Sequence, residues 1–261
     1  ALVFDVQQAN GKPDDNRRPG AACPFCDTEG LANIIQRDGD CIWLENKFKT
    51  LRATRQTVLI ESANHDADLV TYEPDELHHV MRFALGCWQQ MIDPNSTQVL
   101  MYKNKGPLSG GSLVHPHMQI VGLEREDGYA ALTSANFEGI NVWQQEISVN
   151  ISTEPIMGFF EVNVSAPQGI AASDDAHDQA EADLFADAIQ VVLRYILREH
   201  HGGRAESYNL FFYHLDGRTI AKRAALGGFA YFVGYRLAQV NAETTLDVDA
   251  ERLRARLEAL A

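Results

Sequence analysis

Residues 104–122, "NKGPLSGGSLVHPHMQIVG", join a glycine-rich loop to an apolar segment that carries two histidines. Residues two apart in a β-strand point to the same face, so we expect His115, His117 and Gln119 to form one row. A plainer interpretation is that both histidines are satisfied by hydrogen bonds at a sheet surface and have no chemical role.

The loop before the histidines has the composition of an anion site. Gly106, Gly110 and Gly111 allow backbone amides to approach a ligand closely, and Ser112 adds a hydroxyl donor. The pattern matches neither the P-loop nor the dinucleotide-binding fingerprint. The phosphate-site interpretation therefore depends on the position of the loop next to His117.

A pair of cysteines precedes this stretch in the sequence "CPFC". The spacing of Cys23 and Cys26 is typical of zinc thiolates and also of redox dithiols. A redox dithiol is expected at a helix start after a strand, whereas this motif follows an irregular arm rich in Gly and Pro, so zinc is favoured. The candidates for two further nitrogen ligands are His65 and one of the paired histidines.

The composition argues against several classes of function. With 261 residues, 45% of them hydrophobic, and a formal net charge of −14, the chain is expected to bury a sizeable core and not to bind nucleic acid or membrane surfaces. We find no apolar stretch of roughly 18 residues and no pattern of a signal peptide at the start. Four cysteines are too few for a disulfide scaffold, so we expect a cytoplasmic protein.

The order of predicted elements indicates an α+β fold. Helical periodicity predicts helices over residues 73–91, 176–200 and 247–260. Strands are predicted over residues 32–37, 41–46, 57–62, 97–104, 113–122, 146–153, 158–166, 208–215 and 229–237. Because each half reads as strands plus one long helix, we predict two related units, residues 1–140 and 141–261, that share one sheet.

Together these motifs resemble the galactose-1-phosphate uridylyltransferases, the transferase branch of the histidine-triad superfamily. The resemblance is carried by "NKGPLSGGSLVHPHMQIVG", "RRPG", "CPFC", "ENKF", "ESANH" and "FVGYRLA". More narrowly, the chain is similar to a short bacterial subfamily of uridylyltransferase-like proteins. The resemblance implies two histidine-triad-like units, each an antiparallel sheet with a long helix, of which the second lacks the histidine motif.

The resemblance also implies a role for each matching residue. The implied ligands of a structural zinc ion are Cys23, Cys26, His65 and His115. His117 would be the nucleophile that carries the nucleotidyl group, with Gln119 and Ser112 as further catalytic residues. The implied substrate-binding residues are Asn46, Asn104, Lys105, Gly110, Gly111, Arg17, Arg18 and Tyr235.

Gln119 stands where hydrolytic relatives carry a third histidine. An amide donates to a phosphoryl oxygen without titrating, which favours transfer over hydrolysis. Simpler interpretations exist for three of the implied residues: Gln119 as an edge-strand side chain in solvent, and Arg17 and Arg18 as a solvated pair on a flexible arm. For Tyr235, packing against the sheet is favoured over a place in the substrate pocket.

Finally, the resemblance implies a homodimer that completes each active site, a nucleotide or nucleotide-sugar substrate and a phosphate-bearing acceptor. His214 stands alone where the family carries a histidine-rich second metal site, so we expect that site to be lost. Arg236 replaces an acidic residue near the sugar, which predicts an acceptor other than galactose 1-phosphate. The alternatives are a dinucleoside polyphosphate phosphorylase or hydrolase, and a zinc-stabilised nucleotide-binding module without turnover.

Overall fold

The computed structural model describes residues 22–92, 98–156, 161–215, 217–224 and 249–260. In chain order the strands are β1 (Ile34–Asp38), β2 (Cys41–Glu45), β3 (Thr54–Ile60), β4 (Gln98–Lys105), β5 (His117–Leu123), β6 (Gly139–Gln144), β7 (Ser148–Ser152), β8 (Val162–Ala166), β9 (Tyr208–Leu215) and β10 (Arg218–Ala224). The α-helices are α1 (Pro74–Met91), α2 (Ala176–Arg198) and α3 (Ala250–Leu257). The predicted α+β class is confirmed.

The ten strands of the described residues form one sheet in the order β1-β2-β3-β5-β4-β9-β10-β8-β7-β6. Every neighbouring pair is antiparallel. Strands β4 and β9 meet at the centre, with Met101 opposite Phe212. Outward from the centre, one side follows β4, β5, β3, β2, β1 and the other follows the equivalent chain positions β9, β10, β8, β7, β6. The predicted division after residue 140 falls inside β6, and the two-unit division stays a prediction.

The helices form where the sequence predicts them. Pro74 occupies the first turn of α1, and the apolar row that includes Leu77 and Trp88 is buried. At the start of α2, the side chain of Asp175 accepts a hydrogen bond from the backbone N–H of His177. Along the described ranges, no helix is long and apolar enough to span a bilayer.

The two faces of the sheet have different surroundings. Helices α1 and α2 pack on one face, where Met101, Met118 and Phe212 belong to the main core cluster. We name the opposite face, which carries Leu100 and Val121, the distal face. Since side chains alternate along a strand, His117 and Gln119 lie on the distal face with Val121.

The strand that carries the motif begins later than predicted. The predicted strand covers residues 113–122, whereas β5 begins at His117, which pairs with Ile60. Pro116 has no N–H to donate to a ladder, and the backbone N–H of Glu61 donates to its carbonyl oxygen at 3.1 Å. Within β5 the predicted row keeps His117 and Gln119 on one face, whereas His115 lies in the bend before the strand.

Two strands were not predicted. Strand β6 has irregular pairing with β7, and β10 has the charged sequence "RTIAKRA" with little alternation. Lys222 in β10 is nevertheless fully buried, because its Nζ donates to Glu161 Oε2 at 2.8 Å. The predicted strand over residues 229–237 lies outside the described residues.

Candidate active site and metal centre

Cys23, Cys26, His65 and His115 come together from three segments that lie far apart in sequence. Their potential ligand atoms all lie within 4.8 Å of one another. Cys26 Sγ is 3.4 Å from His65 Nδ1 and 3.5 Å from His115 Nδ1. In a tetrahedral zinc site, a sulfur ligand and a nitrogen ligand are about 3.5 Å apart. The four side chains therefore fit a metal ion that prefers two thiolates and two imidazoles.

Hydrogen bonding fixes the orientation of His115, the buried member of the four candidate ligands. Its Nε2 donates to the carbonyl oxygen of Ser62 at 2.8 Å, which leaves the lone pair on Nδ1, the atom that faces Cys26. Ser62 follows β3, and the neighbouring N–H of Glu61 donates to Pro116. The end of β3 thus orients the imidazole through its Nε2, as the hydrogen-bond partners of metal-binding histidines commonly do.

The redox interpretation of the cysteine pair has less support. Burial raises the pKa of the Cys23 thiol to about 11, whereas the nucleophilic cysteine of a redox dithiol has a lowered pKa. A bound cation would instead favour the thiolate. The pair also lies in a turn, with the N–H of Cys26 donating to the carbonyl of Cys23 at 3.2 Å, and not at a helix start.

The neighbouring histidine His117 has the opposite tautomer. Its Nδ1 donates to the backbone carbonyl oxygen of His115 at 2.8 Å, which leaves the lone pair on Nε2. The ring of Phe25, from the cysteine turn, packs edge-on against both imidazoles, with centroids 5.9 Å from His115 and 5.5 Å from His117. One imidazole thus offers Nδ1 to a metal ion, and the other offers Nε2 to a ligand.

A cavity of about 510 Å³ opens beside His117. The predicted site residues on its wall are Asn46, Gly110, Gly111, Ser112, His117 and Gln119. Its apolar side is formed by Phe25, Leu31, Leu44, Phe48 and Val58. A volume of this size is typical of small-molecule and cofactor sites, and an apolar wall with a few convergent polar groups is their usual composition.

The polar side of the cavity is rich in donors. Asn46 Oδ1 already accepts the backbone N–H of Phe48 at 2.8 Å, so its NH₂ group is the end left for a ligand. Ser112 adds a hydroxyl, and Lys47 adds a cation. Of the acidic groups on the wall, Glu45 is paired with Arg55 at 2.8 Å. This arrangement favours a ligand that is rich in acceptor oxygens.

The glycine-rich loop has a fixed shape. Asn209 Nδ2, on β9, donates to Asn104 Oδ1 at 2.7 Å and to the carbonyl of Ser109 at 2.9 Å. Gly106 has φ +86°, and a Cβ atom there would lie 2.4 Å from the carbonyl oxygen of Glu206. A side chain at this position would clash, so the loop depends on glycine.

Some predicted site residues lie elsewhere. Asn104 and Lys105 are not on the cavity wall, and Asn104 Oδ1 accepts a hydrogen bond from Asn209 Nδ2 at 2.7 Å. Arg17, Arg18, Tyr235 and Arg236 lie outside the described residues.

Sequence reasoning missed Phe25, Lys47 and the carbonyl of Ser62. The position of Phe25 within the cysteine turn and of Lys47 within "ENKF" could have identified the first two. A backbone carbonyl leaves no signal in the sequence, so the role of Ser62 could not have been found in this way.

The comparisons with known proteins establish the family. Residues 4–126 match the "Domain of unknown function (DUF4931) N-terminal domain" family, and residues 130–256 match the corresponding C-terminal domain family. A DUF4931 family protein from Bacillus cereus ATCC 10987 is 37% identical, with a TM-score of 0.69 over 87% of this chain and 98% of that chain. No curated protein matches this chain at a significant level.

Two more distant solved structures share the fold. A uridylyltransferase is 19% identical with a TM-score of 0.62, covering 93% of this chain and 92% of that chain. An ADP-glucose phosphorylase from Arabidopsis thaliana with bound ADP-glucose is 15% identical with a TM-score of 0.62, covering 97% and 93%. At these identities the likeness concerns the fold alone, whereas the two domain matches and the Bacillus cereus relative define the family. The chain belongs to the DUF4931 family.

Proposed function

We propose that the protein is a nucleotidyltransferase in which His117 carries the nucleotidyl group. The observation that carries this proposal is the bond from His117 Nδ1 to the carbonyl of His115, which leaves an unprotonated Nε2 beside a donor-rich cavity. A neutral imidazole held in this way is a nucleophile at physiological pH. Gln119 and Ser112 lie on the same wall and are suited to stabilise phosphoryl oxygens.

The proposed reaction has two displacements. His117 Nε2 attacks the α-phosphorus of a nucleoside diphosphate sugar, a P–N bond forms, and the P–O bond to the sugar phosphate breaks with its electron pair on the leaving group. A phosphate oxygen of the acceptor then attacks the same phosphorus, and the P–N bond breaks with its electron pair returned to Nε2. The Nδ1 proton stays on the ring and donates to His115, which stabilises the charged intermediate.

We further propose that Cys23, Cys26, His65 and His115 hold a structural zinc ion. Bound zinc would tie the cysteine turn to the segment that precedes β5 and would supply no reacting group. Its thiolate ligands require reducing conditions, which supports the cytoplasmic location predicted from the sequence.

The substrate class and the oligomeric state are also proposals. The shared fold of a uridylyltransferase and an ADP-glucose phosphorylase supports a uridine or adenosine diphosphate sugar as donor substrate. The acceptor is proposed to carry a phosphate and to differ from galactose 1-phosphate. The resemblance stated above supports a homodimer, and sedimentation of the purified protein would test it.

We also propose that each group of five strands with its long helix is one histidine-triad-like unit. The sheet order that reads outward from β4 and β9 in the same way on both sides supports this division.

The experiment is a covalent labelling assay. The purified protein is incubated with UDP-glucose, ADP-glucose or a dinucleoside polyphosphate, each labelled in the α-phosphate, and then denatured. Acid-labile label that remains on wild-type protein and is absent from His117→Ala supports the proposal. The nucleotide that labels fastest identifies the donor, and release of the label by added sugar phosphates, inorganic phosphate or water identifies the acceptor.

The other functions predicted from the sequence are outcomes of the same assay. Label from a dinucleoside polyphosphate, released by inorganic phosphate or water, would favour the phosphorylase or hydrolase. Binding of nucleotide with neither label nor product would contradict the transferase and favour the binding module.

A further inference from the structure

We propose that Tyr102 is a positioning residue that turns the amide of Gln119 so that its NH₂ group faces the nucleotidyl group. This inference rests on the proposed function. Tyr102 on β4 lies directly opposite Gln119 on β5 in the sheet register. The hydroxyl of Tyr102 donates to Gln119 Oε1 at 3.1 Å. The carbonyl end of the amide is thereby occupied, and the NH₂ end is left for a ligand.

The tyrosine is itself held in place. Tyr102 is 7% exposed, and its ring stacks on Phe211 of β9 with centroids 6.1 Å apart and planes at 29°. Burial raises the pKa of its hydroxyl above the usual range, so the group stays protonated at physiological pH and remains a donor. A buried, immobile donor fixes the orientation of an amide more firmly than water would.

The orientation of the amide matters because its two ends have opposite polarity. The NH₂ end donates to a phosphoryl oxygen, whereas Oε1 in the same place would face the phosphoryl oxygens as one acceptor against another. Nothing in the glutamine side chain itself prefers either end. The choice must come from a neighbour, and Tyr102 supplies a donor that Oε1 can accept.

Asn46, another amide side chain on the cavity wall, is oriented in the same way. Asn46 Oδ1 accepts the backbone N–H of Phe48 at 2.8 Å. In both amides a donor from the protein binds the carbonyl, and the NH₂ group is left for the ligand. For Asn46 the donor is backbone and survives any substitution of Phe48, apart from proline. For Gln119 the donor is a side chain, so a single substitution tests the inference.

The test is a double-mutant cycle on the rate of covalent labelling. The variants are Tyr102→Phe, Gln119→Met and both together, assayed with labelled UDP-glucose and ADP-glucose. We expect Tyr102→Phe to lower the maximal labelling rate about 10-fold, less than the loss of a whole transition-state donor, with the half-saturating nucleotide concentration within about twofold of wild type. The double variant is expected to be no slower than Gln119→Met alone, because both changes remove one function.

The matched control is Tyr213→Phe, which removes a buried tyrosine hydroxyl from the same distal face but away from the cavity. Its labelling rate should equal that of wild type. If Tyr102→Phe labels as fast as Tyr213→Phe, or if the Tyr102 and Gln119 effects multiply in the double variant, the positioning role is wrong.

A second measurement separates this inference from the proposed function. In ¹H–¹⁵N spectra of the free protein, the side-chain NH₂ signals of Gln119 are identified by their loss in Gln119→Met. We expect Tyr102→Phe to move these signals and Tyr213→Phe to leave them in place. Unmoved signals would overturn the positioning role even if labelling occurs. Moved signals without labelling in wild type would support the orientation and reject the transferase function.

Discussion

The two halves of the sheet share a strand order but treat the distal face in opposite ways. In the first half, this face of β3 and β5 borders the cavity that contains His117 and Gln119. In the second half, residues 133–138 cover it: the carbonyl of Asn136 accepts Lys222 Nζ at 2.7 Å, and the carbonyl of Phe137 accepts Asn150 Nδ2 at 3.1 Å. The same strand arrangement therefore borders a cavity in the first half and a buried core in the second half, because residues 133–138 cover the distal face only in the second half.

The buried lysines differ in the same way. Lys103 donates to Glu61 Oε1 at 2.6 Å on the helix side of the sheet, where its neighbour Met101 also points. Lys222 donates to Glu161 on the distal face, above the ring of Phe137 at 5.2 Å. In the first half, the buried lysine lies on the helix side of the sheet, away from the cavity. In the second half, the buried lysine lies on the distal face and binds the segment that covers this face. The comparison gives a physical reason why the proposed site lies in the first half.

The largest effect should follow the substitution of the nucleophile. His117→Ala is expected to lower the labelling rate on the order of 10⁴-fold or more, as removal of a catalytic nucleophile does. His214→Ala, at the exposed end of β9 in the second half, should leave the rate unchanged. Rates from labelled UDP-glucose and ADP-glucose measure both. A comparable loss in His214→Ala would break the distinction between the halves.

The buried pairs should give the next largest effect, on stability. Lys103→Met and Lys222→Met each leave a buried glutamate without its cation, which is expected to lower the free energy of unfolding by about 3–5 kcal/mol. The two variants should differ in metal content, because Glu61 lies next to the Ser62 carbonyl that orients His115. Urea unfolding and zinc analysis measure the two effects. Equal zinc loss in both variants would contradict the separate roles.

Removal of one proposed metal ligand should have an intermediate effect on activity. Cys26→Ser should reduce the metal content from one equivalent to less than about half and lower the labelling rate about 10 to 100-fold, since ligand geometry supports the strand that carries His117. Cys87→Ala is the matched control, because Cys87 is buried in α1 away from the centre. It should lose stability but keep its metal. A metal-free wild-type protein with full activity would exclude this support.

The smallest effect concerns the C-terminal helix of the second half. Hydrogen bonds from Arg256 and charges from Arg256 and Arg252 lower the pKa of Glu199. A lowered pKa contributes stability above the unfolded value of 4.5 and loses it as the pH falls through the folded value. Because the pair is exposed and screened by solvent, Glu199→Gln should cost only about 0.5 kcal/mol at pH 7, and less near pH 3.

Urea unfolding at the two pH values tests this prediction, and the labelling rate of Glu199→Gln at pH 7 should equal that of wild type. A larger loss of stability in Glu199→Gln at the acidic pH would contradict the lowered pKa of Glu199.

Much of the site could be predicted because its determinants are local or periodic. Strand alternation places His117 and Gln119 together, and the metal ligands follow from the resemblance to the uridylyltransferases. The bend at His115 was missed because Pro116 removes a ladder donor within an otherwise apolar run. Strand β10 was missed because the burial of Lys222 depends on Glu161, 61 residues away. The orientation of Gln119 by Tyr102 likewise depends on sheet register, which spacing does not provide.

The most direct test of the account is the location of the covalent nucleotide. Wild-type protein incubated with the donor that labels fastest is digested at mildly alkaline pH, and its peptides are sequenced by mass spectrometry. We expect one nucleotidyl group per chain, attached to His117 in the peptide that contains "HPHMQ". A nucleotidyl group on another residue, or tight nucleotide binding with no adduct in the intact protein, would contradict the central role of His117.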